Sequence, residues 1–524
     1  MPRVARPLFA LTLALLAAGC ATTQRPADPL AAARAELHAA GQKHSLALYL
    51  DAAKHSLPLA TSDAISSATR AEAVAIYDRA VSQAAILLFA EKTPFAPGYA
   101  ISFTPPPRGV TNLIAASDIS RKHLEADIRR PGFGGPLVAV MDGPDTAGPN
   151  RPPKGYAVPT TAVADFTPTH TGQTAATIRF LDPRQNDAVR LAGAQRPLAG
   201  DFTAPLAYYP HPNELIFGFL AMLRSDLSVK RSALMFYEPY DPKKIPVLFV
   251  HGLMSSPHAW LQVANQLEAN PEFRRRYQIW AYFYPTGAPI AGNALQLRMA
   301  LAAAATRYHL GDNLVIVGHS MGGILTRMQV TNPGRALWNA IFRDKADQIY
   351  NELPADSVLK RALIFRANPH VARVVFFSVP HRGSDLANLR ISAIAARFIR
   401  MPITLVKTFN KQLVGIMQQV DPSLRSIPTS IQGLSPRSRL LIALAKLPIT
   451  VPCDTVVGNR GKPGPLAESS DGVVPYWSSH VDFAKSELVV PTGHDSFDHP
   501  ASVANLERIL GVSRTPAPKQ APAQ

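Results

Sequence analysis

The sequence predicts an α/β fold with a mostly parallel sheet in its C-terminal half, preceded by a mixed α+β region. Two observations carry this. From about residue 243, continuous apolar runs recur: 245–250 (IPVLFV), 277–284 (YQIWAYFY), 313–317 (NLVIV), 374–379, 455–457 and 487–490. Helix-patterned segments separate them, among them the alanine-rich 291–308, 321–330 (ended by Asn332-Pro333) and a terminal helix near 502–510. Strands apolar on both faces that alternate with helices lie in a parallel sheet covered on both sides.

The N-terminal half reads differently. Residues 30–92 carry two helical patterns; in the second, Ala71, Ala73, Ile76, Ala80, Ala84 and Leu87 recur at helical spacing, with Ser62-Asp63 as an N-cap. Between 93 and 240, proline and glycine punctuate short alternating runs at 99–103, 137–141 and 176–181, the pattern of a β-rich or mixed subdomain with long loops. No motif with chemistry stands in it. The expected organisation is a leader at 1–19, a tether at 20–29, a helical segment at 30–95 and a β-rich subdomain at 96–240. A C-terminal domain follows at 241–512, then a Pro/Ala-rich tail at 513–524.

Composition narrows the class. The chain has 524 residues, enough for two or three domains at about 100–200 residues each. Hydrophobic residues at 47% and charged residues at 17% describe a globular chain. Two cysteines exclude a disulfide-built scaffold and a cysteine-rich zinc fold. A net charge of +17 suits contact with anionic surfaces. The basic residues lack interleaved nucleic-acid motifs, so a nucleic-acid role is rejected.

Residues 1–20 read as an export signal. Arg3 and Arg6 form its positive region, and the apolar run 8–18 is too short to span a bilayer core of about 30 Å. Ala17-Ala18-Gly19-Cys20 then resembles the bacterial lipobox, although Leu16 stands one place earlier than in the common pattern. The resemblance implies a lipidated Cys20 and a membrane anchor. With Ala21 following the cysteine, it also implies retention away from the inner membrane. Cys453 is then left without an intramolecular partner.

Gly318-His319-Ser320-Met321-Gly322 directly follows the strand NLVIV and opens a helix. A nucleophilic serine needs this setting. The turn is sharp, so Gly318 and Gly322 keep its flanks small, and Ser320 sits at a helix N-terminus where developing negative charge is favoured. His251-Gly252-Leu253 ends the strand IPVLFV. Backbone N–H groups of Leu253 and Met321 would hold a tetrahedral oxyanion. His251 reads as a structural residue, and His319, with Gly318 and Gly322, belongs to the elbow, where it takes the variable position; neither is expected to be the base.

VLFVHGL followed about 70 residues later by VGHSMGG resembles the α/β-hydrolase fold, and within it lipases and esterases. Pro380-His381-Arg382-Gly383-Ser384 and Ser470-Asp471-Gly472-Val473-Val474 resemble further lipase segments. The similarity covers about 240–512. It implies a triad in the order serine, acid, histidine. Asp471, standing between the last two strands, is favoured as the acid over Asp385. His494, four residues after the last strand, is favoured over His480 and His499. Such a site needs no metal or organic cofactor.

The stretch 386–450 is expected to be a cap insertion over the site. It carries apolar Ile391, Ile394, Phe398, Ile399 and Phe409 among Arg390, Arg397, Arg400, Lys407 and Lys411. It reads either as a packed helical cap or as a lid whose basic side meets anionic head groups. The function expected is a lipid-anchored envelope serine hydrolase of acyl esters. The alternatives are an acyltransferase on the same residues and an envelope scaffold whose hydrolase fold is idle.

Overall fold

The computed structural model describes residues 28–91, 95–142, 148–209, 232–384 and 430–513. The leader, Cys20, Asp385, most of the expected cap and the C-terminal tail lie outside these residues.

The described residues begin with three helices, α1 (Ala31–Lys43), α2 (Leu46–Ala60) and α3 (Ser67–Ala90). The first expected helical pattern is thus two helices. His44 adopts the left-handed conformation and closes α1, and Ser45 caps α2 by accepting from Leu48 N–H at 3.4 Å. The cap of α3 is Ser66, whose Oγ accepts from Thr69 N–H at 3.1 Å, and not Ser62 or Asp63. By length and composition α3 could cross a bilayer, but half of its apolar stretch is buried in the protein. Tyr77, on that buried face, exchanges hydrogen bonds with the Ala164 backbone at 2.7 and 2.9 Å.

Among the described residues nine strands follow: β1 (Tyr99–Phe103), β2 (Val110–Ala115), β3 (Arg129–Arg130), β4 (Gly135–Met141), β5 (Tyr156–Pro168), β6 (Thr174–Leu181), β7 (Ala188–Leu191), β8 (Ala194–Pro197) and β9 (Gly200–Asp201). Five form a sheet ordered β1-β6-β5-β4-β2, antiparallel except for the parallel β1–β6 pair; β3–β9 and β7–β8 make two small ribbons. The described residues between 96 and 209 are therefore mixed and β-rich, as their alternating runs suggest, with α3 packed on β2, β4 and β5.

The second half is a seven-stranded sheet. Its strands are β10 (Ala233–Phe236), β11 (Ile245–Val250), β12 (Tyr277–Phe283), β13 (Leu314–His319), β14 (Val371–Phe377), β15 (Cys453–Gly458) and β16 (Ser486–Val490), in the order β10-β12-β11-β13-β14-β15-β16. Only β10 runs antiparallel. The expected α/β architecture is present, and the apolar runs are its strands. Val247, Leu248, Phe249 and Val250 are all buried because helices cover both faces. The helix after β13 ends at Arg327 rather than at residue 330.

The two halves share a core. One apolar cluster extends from Leu30 and the helices through Ala162 and Ile178 to Trp280, Leu325 and Cys453. Phe236 of β10 stacks on Trp280 of β12 at 4.0 Å. Asn150, from the first half, accepts from Phe236 N–H at 2.9 Å and donates to Leu234 O at 2.8 Å, which covers the outer edge of β10. Asn265 donates to Ala126 O at 2.7 Å and accepts from Thr203 Oγ at 2.8 Å.

The seam also buries ions. Glu238 pairs with Arg184 and, at 3.2 Å, with Lys244; Arg184 binds Asp182 at 2.8 Å. Burial, and then the neighbouring Glu238, push the Glu268 carboxyl up to about 7, against the pull of Lys244, Arg184 and Arg274. A raised carboxyl favours the fold while it is protonated. That contribution is complete below its ordinary value of 4.5 and is lost as pH rises through about 7. Glu268→Gln is therefore expected to raise the thermal midpoint at pH 8 and to leave it unchanged at pH 4. Calorimetry at the two pH values checks this.

Candidate active site

Ser320 stands between the end of β13 and the helix Met321–Arg327, with φ 53° and ψ −126°. A side-chain-bearing residue is strained there by about 1–3 kcal/mol. Its neighbours hold it: Ser320 N–H donates to Phe377 O at 2.9 Å, and Ser320 O accepts from Gly323 N–H at 3.0 Å. The flanking glycines are required sterically. A Cβ on Gly322 would lie 2.3 Å from the His251 carbonyl oxygen, and one on Gly318 would lie 2.6 Å from Thr326 Oγ1.

His494 and Asp471 meet this serine. Ser320 Oγ lies 2.9 Å from His494 Nε2, and His494 Nδ1 lies 2.8 Å from Asp471 Oδ2. Asp471 projects from the loop between β15 and β16, and His494 from the loop after β16, so both reach the C-terminal edge of the sheet. The second oxygen of Asp471 accepts from Val473 N–H at 2.7 Å and Val474 N–H at 2.6 Å. Burial alone would raise this carboxyl. The bond and charge of His494, with the two backbone donors, hold it below the ordinary carboxylate value instead. Ionised Asp471 then fixes the proton of His494 on Nδ1 and leaves Nε2 free to accept from Ser320.

The loop after β11 lies against Ser320, since a Cβ on Gly252 would come within 3.1 Å of Ser320 Cβ. Tyr284 Oη donates to His251 O at 2.6 Å and Met254 N–H donates to Thr286 Oγ1 at 3.4 Å, which fixes the loop on either side of Leu253. Among the described residues no acceptor takes the N–H of Leu253 or of Met321. Two free donors beside an aligned serine can receive an oxyanion.

The other histidines have separate tasks. His251 is buried, stacks on Tyr284 at 4.4 Å and is lowered by burial to about 4. His480 bonds Glu487 at 2.8 Å, and His499 caps the helix Pro500–Ile509 by accepting from Ala501 N–H at 3.2 Å. None of the three approaches Ser320 by a hydrogen bond. His319 does contact His494, through its backbone carbonyl at 3.0 Å. That link spans 175 residues and leaves no mark in the sequence. The same is true of Tyr284 and Thr286, whose supporting bonds depend on loop shape. Among the described residues no group of three His, Cys, Asp or Glu side chains is placed to hold a metal ion.

Residues 247–506 match the model of the alpha/beta hydrolase family, which agrees with the sheet order and the strand–turn–helix at Ser320. The match and the fold together support a hydrolase. Among solved structures, the mature lipase of Bacillus licheniformis is 17% identical, with a TM-score of 0.31, over 53% of this chain and 98% of that one. A lipase-esterase related protein from Clostridium acetobutylicum is 15% identical, with a TM-score of 0.28, over 54% and 99%. An esterase from Pyrococcus furiosus is 13% identical, with a TM-score of 0.28, over 54% and 87%. No curated protein matches the chain.

The crossing at Gly322 gives a direct test of the turn. Gly322→Ala is expected to cost about 1–3 kcal/mol of stability through overpacking against the His251 carbonyl. Urea unfolding, with fluorophosphonate labelling of Ser320 as a second readout, checks it.

Proposed function

We propose that the protein is a serine hydrolase of carboxylic esters, with an acyl or lipid ester as substrate, anchored in the bacterial cell envelope through a lipid on Cys20. The observation that carries the chemistry is the continuous line of hydrogen bonds from Ser320 Oγ through His494 to Asp471. It also weighs against an idle scaffold, because a fold without turnover has no need of a strained serine aligned with a base. The lipobox-like Ala17-Ala18-Gly19-Cys20 supports the anchor, and the net charge of +17 is compatible with an anionic membrane nearby.

The steps follow from the geometry. His494 Nε2 takes the Ser320 proton as Oγ attacks the ester carbonyl. Asp471 holds the imidazole in the right tautomer and stabilises the imidazolium. The N–H groups of Leu253 and Met321 receive the oxyanion. The alcohol leaves with the proton from His494. Water, activated by the same imidazole, then releases the acid from Ser320.

The test uses nitrophenyl esters of short and long acyl chains. Ser320→Ala is expected to reduce hydrolysis to background and to abolish fluorophosphonate labelling. Asp471→Asn is expected to lower kcat/KM by about a thousandfold or more, because the wrong tautomer is then favoured. Asp385→Asn should leave it largely intact. Hydrolysis that survives Ser320→Ala would refute the mechanism, and loss confined to Asp385→Asn would reassign the acid. Release of the chain from membranes by Cys20→Ala tests the anchor.

A further inference from the structure

Acyl transfer does not call on His319, yet its ring is enclosed on several sides beside Ser320. Its Nε2 lies 3.0 Å from the His494 carbonyl oxygen. A carbonyl only accepts, so the proton of His319 sits on Nε2. The ring lies 4.7 Å from that of His494, with Phe497 edge-on at 4.8 Å and Trp260 at 6.4 Å. On the remaining side, a Cβ on Gly252 would come within 3.0 Å of His319 Nδ1. The ring therefore has little freedom to move. Among the described residues no other donor takes the His494 carbonyl.

We propose that His319 is a positioning residue: its N–H bond and its ring face set the height and rotation of the His494 imidazole over Ser320. The proposal rests on the Ser320–His494–Asp471 reading given above. The charged and titratable groups around His319 are His494, Asp471 and His251, while Trp260 and Phe497 bring no charge. Burial, and then His494, lower His319 to about 3, and His251 adds to this; the His494 carbonyl bond and Asp471 oppose it. His319 is thus neutral throughout the working range. It supports the imidazolium that forms on His494 without repelling it.

The experiment compares two substitutions in the full chain. His319→Phe keeps a ring and loses the donor, whereas His319→Gln keeps an N–H donor. A displacement of about 1 Å in a catalytic group costs on the order of a hundredfold in rate. His319→Phe is accordingly expected to lower kcat by about that factor, leave KM within about twofold and shift the acid limb of the kcat/KM profile. His319→Gln is expected to recover about tenfold of the loss. Should His319→Phe fail to fold, His319→Met, which also lacks the donor, replaces it. Wild-type kcat and pH profile in the donor-free variant, or equal damage in both variants, overturns the proposal.

A readout independent of turnover separates this idea from the assigned function. The proton on His494 Nδ1, bonded to Asp471, is followed by its downfield proton resonance. It is expected in the wild type and expected to move or vanish in the donor-free variant. An unchanged resonance overturns the positioning role even if no ester is turned over. An inactive wild type with a resonance that responds to His319 overturns the ester-hydrolase reading and leaves the positioning role standing.

Discussion

The site depends on one crossing of backbones. The turn that carries Ser320 passes directly over the end of β11, so closely that Gly322 has no room for a side chain beside the His251 carbonyl. This contact keeps Ser320 in a conformation that an isolated chain would avoid. It also ties together the two backbone segments that carry the free N–H groups, since Met321 belongs to the turn and Leu253 to the loop that follows the strand it crosses. Hydrogen bonds to Phe377 O on one side, and the acid loop on the other, assemble around that crossing. The strain is local, and the buried sheet beneath holds it in place.

Burial then divides labour among similar groups. Three imidazoles, of His251, His319 and His494, lie around one serine. Two are enclosed and kept neutral by desolvation. The third, with 19% of its side chain exposed, faces a fully buried carboxylate that is itself held by two backbone donors. A positive charge on one of these rings has one stable position in such an arrangement. Exclusion of water from His251 and His319 decides this as much as the attraction of Asp471 at His494 does.

The interior strands were readable because they are covered on both faces and so appear as unbroken apolar runs; β11 falls on the residues its sequence pattern predicts. The glycines around Ser320 were readable because a sharp turn tolerates few residue types. β10 was not. It has four residues, only two of them buried, and its place comes from Asn150 and Trp280 rather than from its own pattern. The break between α1 and α2 was hidden because His44, not glycine, takes the left-handed position. The bond between His319 and His494 was invisible for a different reason. Its carbonyl acceptor carries no residue identity, so no pattern of side chains can announce it.

The shared core has a consequence for how this protein can change. With Asn150 covering the outer edge of β10, Asn265 bonded to Thr203 and Ala126, and one apolar cluster running through both, the first half behaves as an outer wall of the seven-stranded sheet, not as a passenger joined by a linker. Its sequence is coupled to the second half through the side-chain volumes of the shared core, so neither half can drift alone. Replacement of one half by a relative's would have to carry the matching face of the other, which makes the pair a single unit of inheritance.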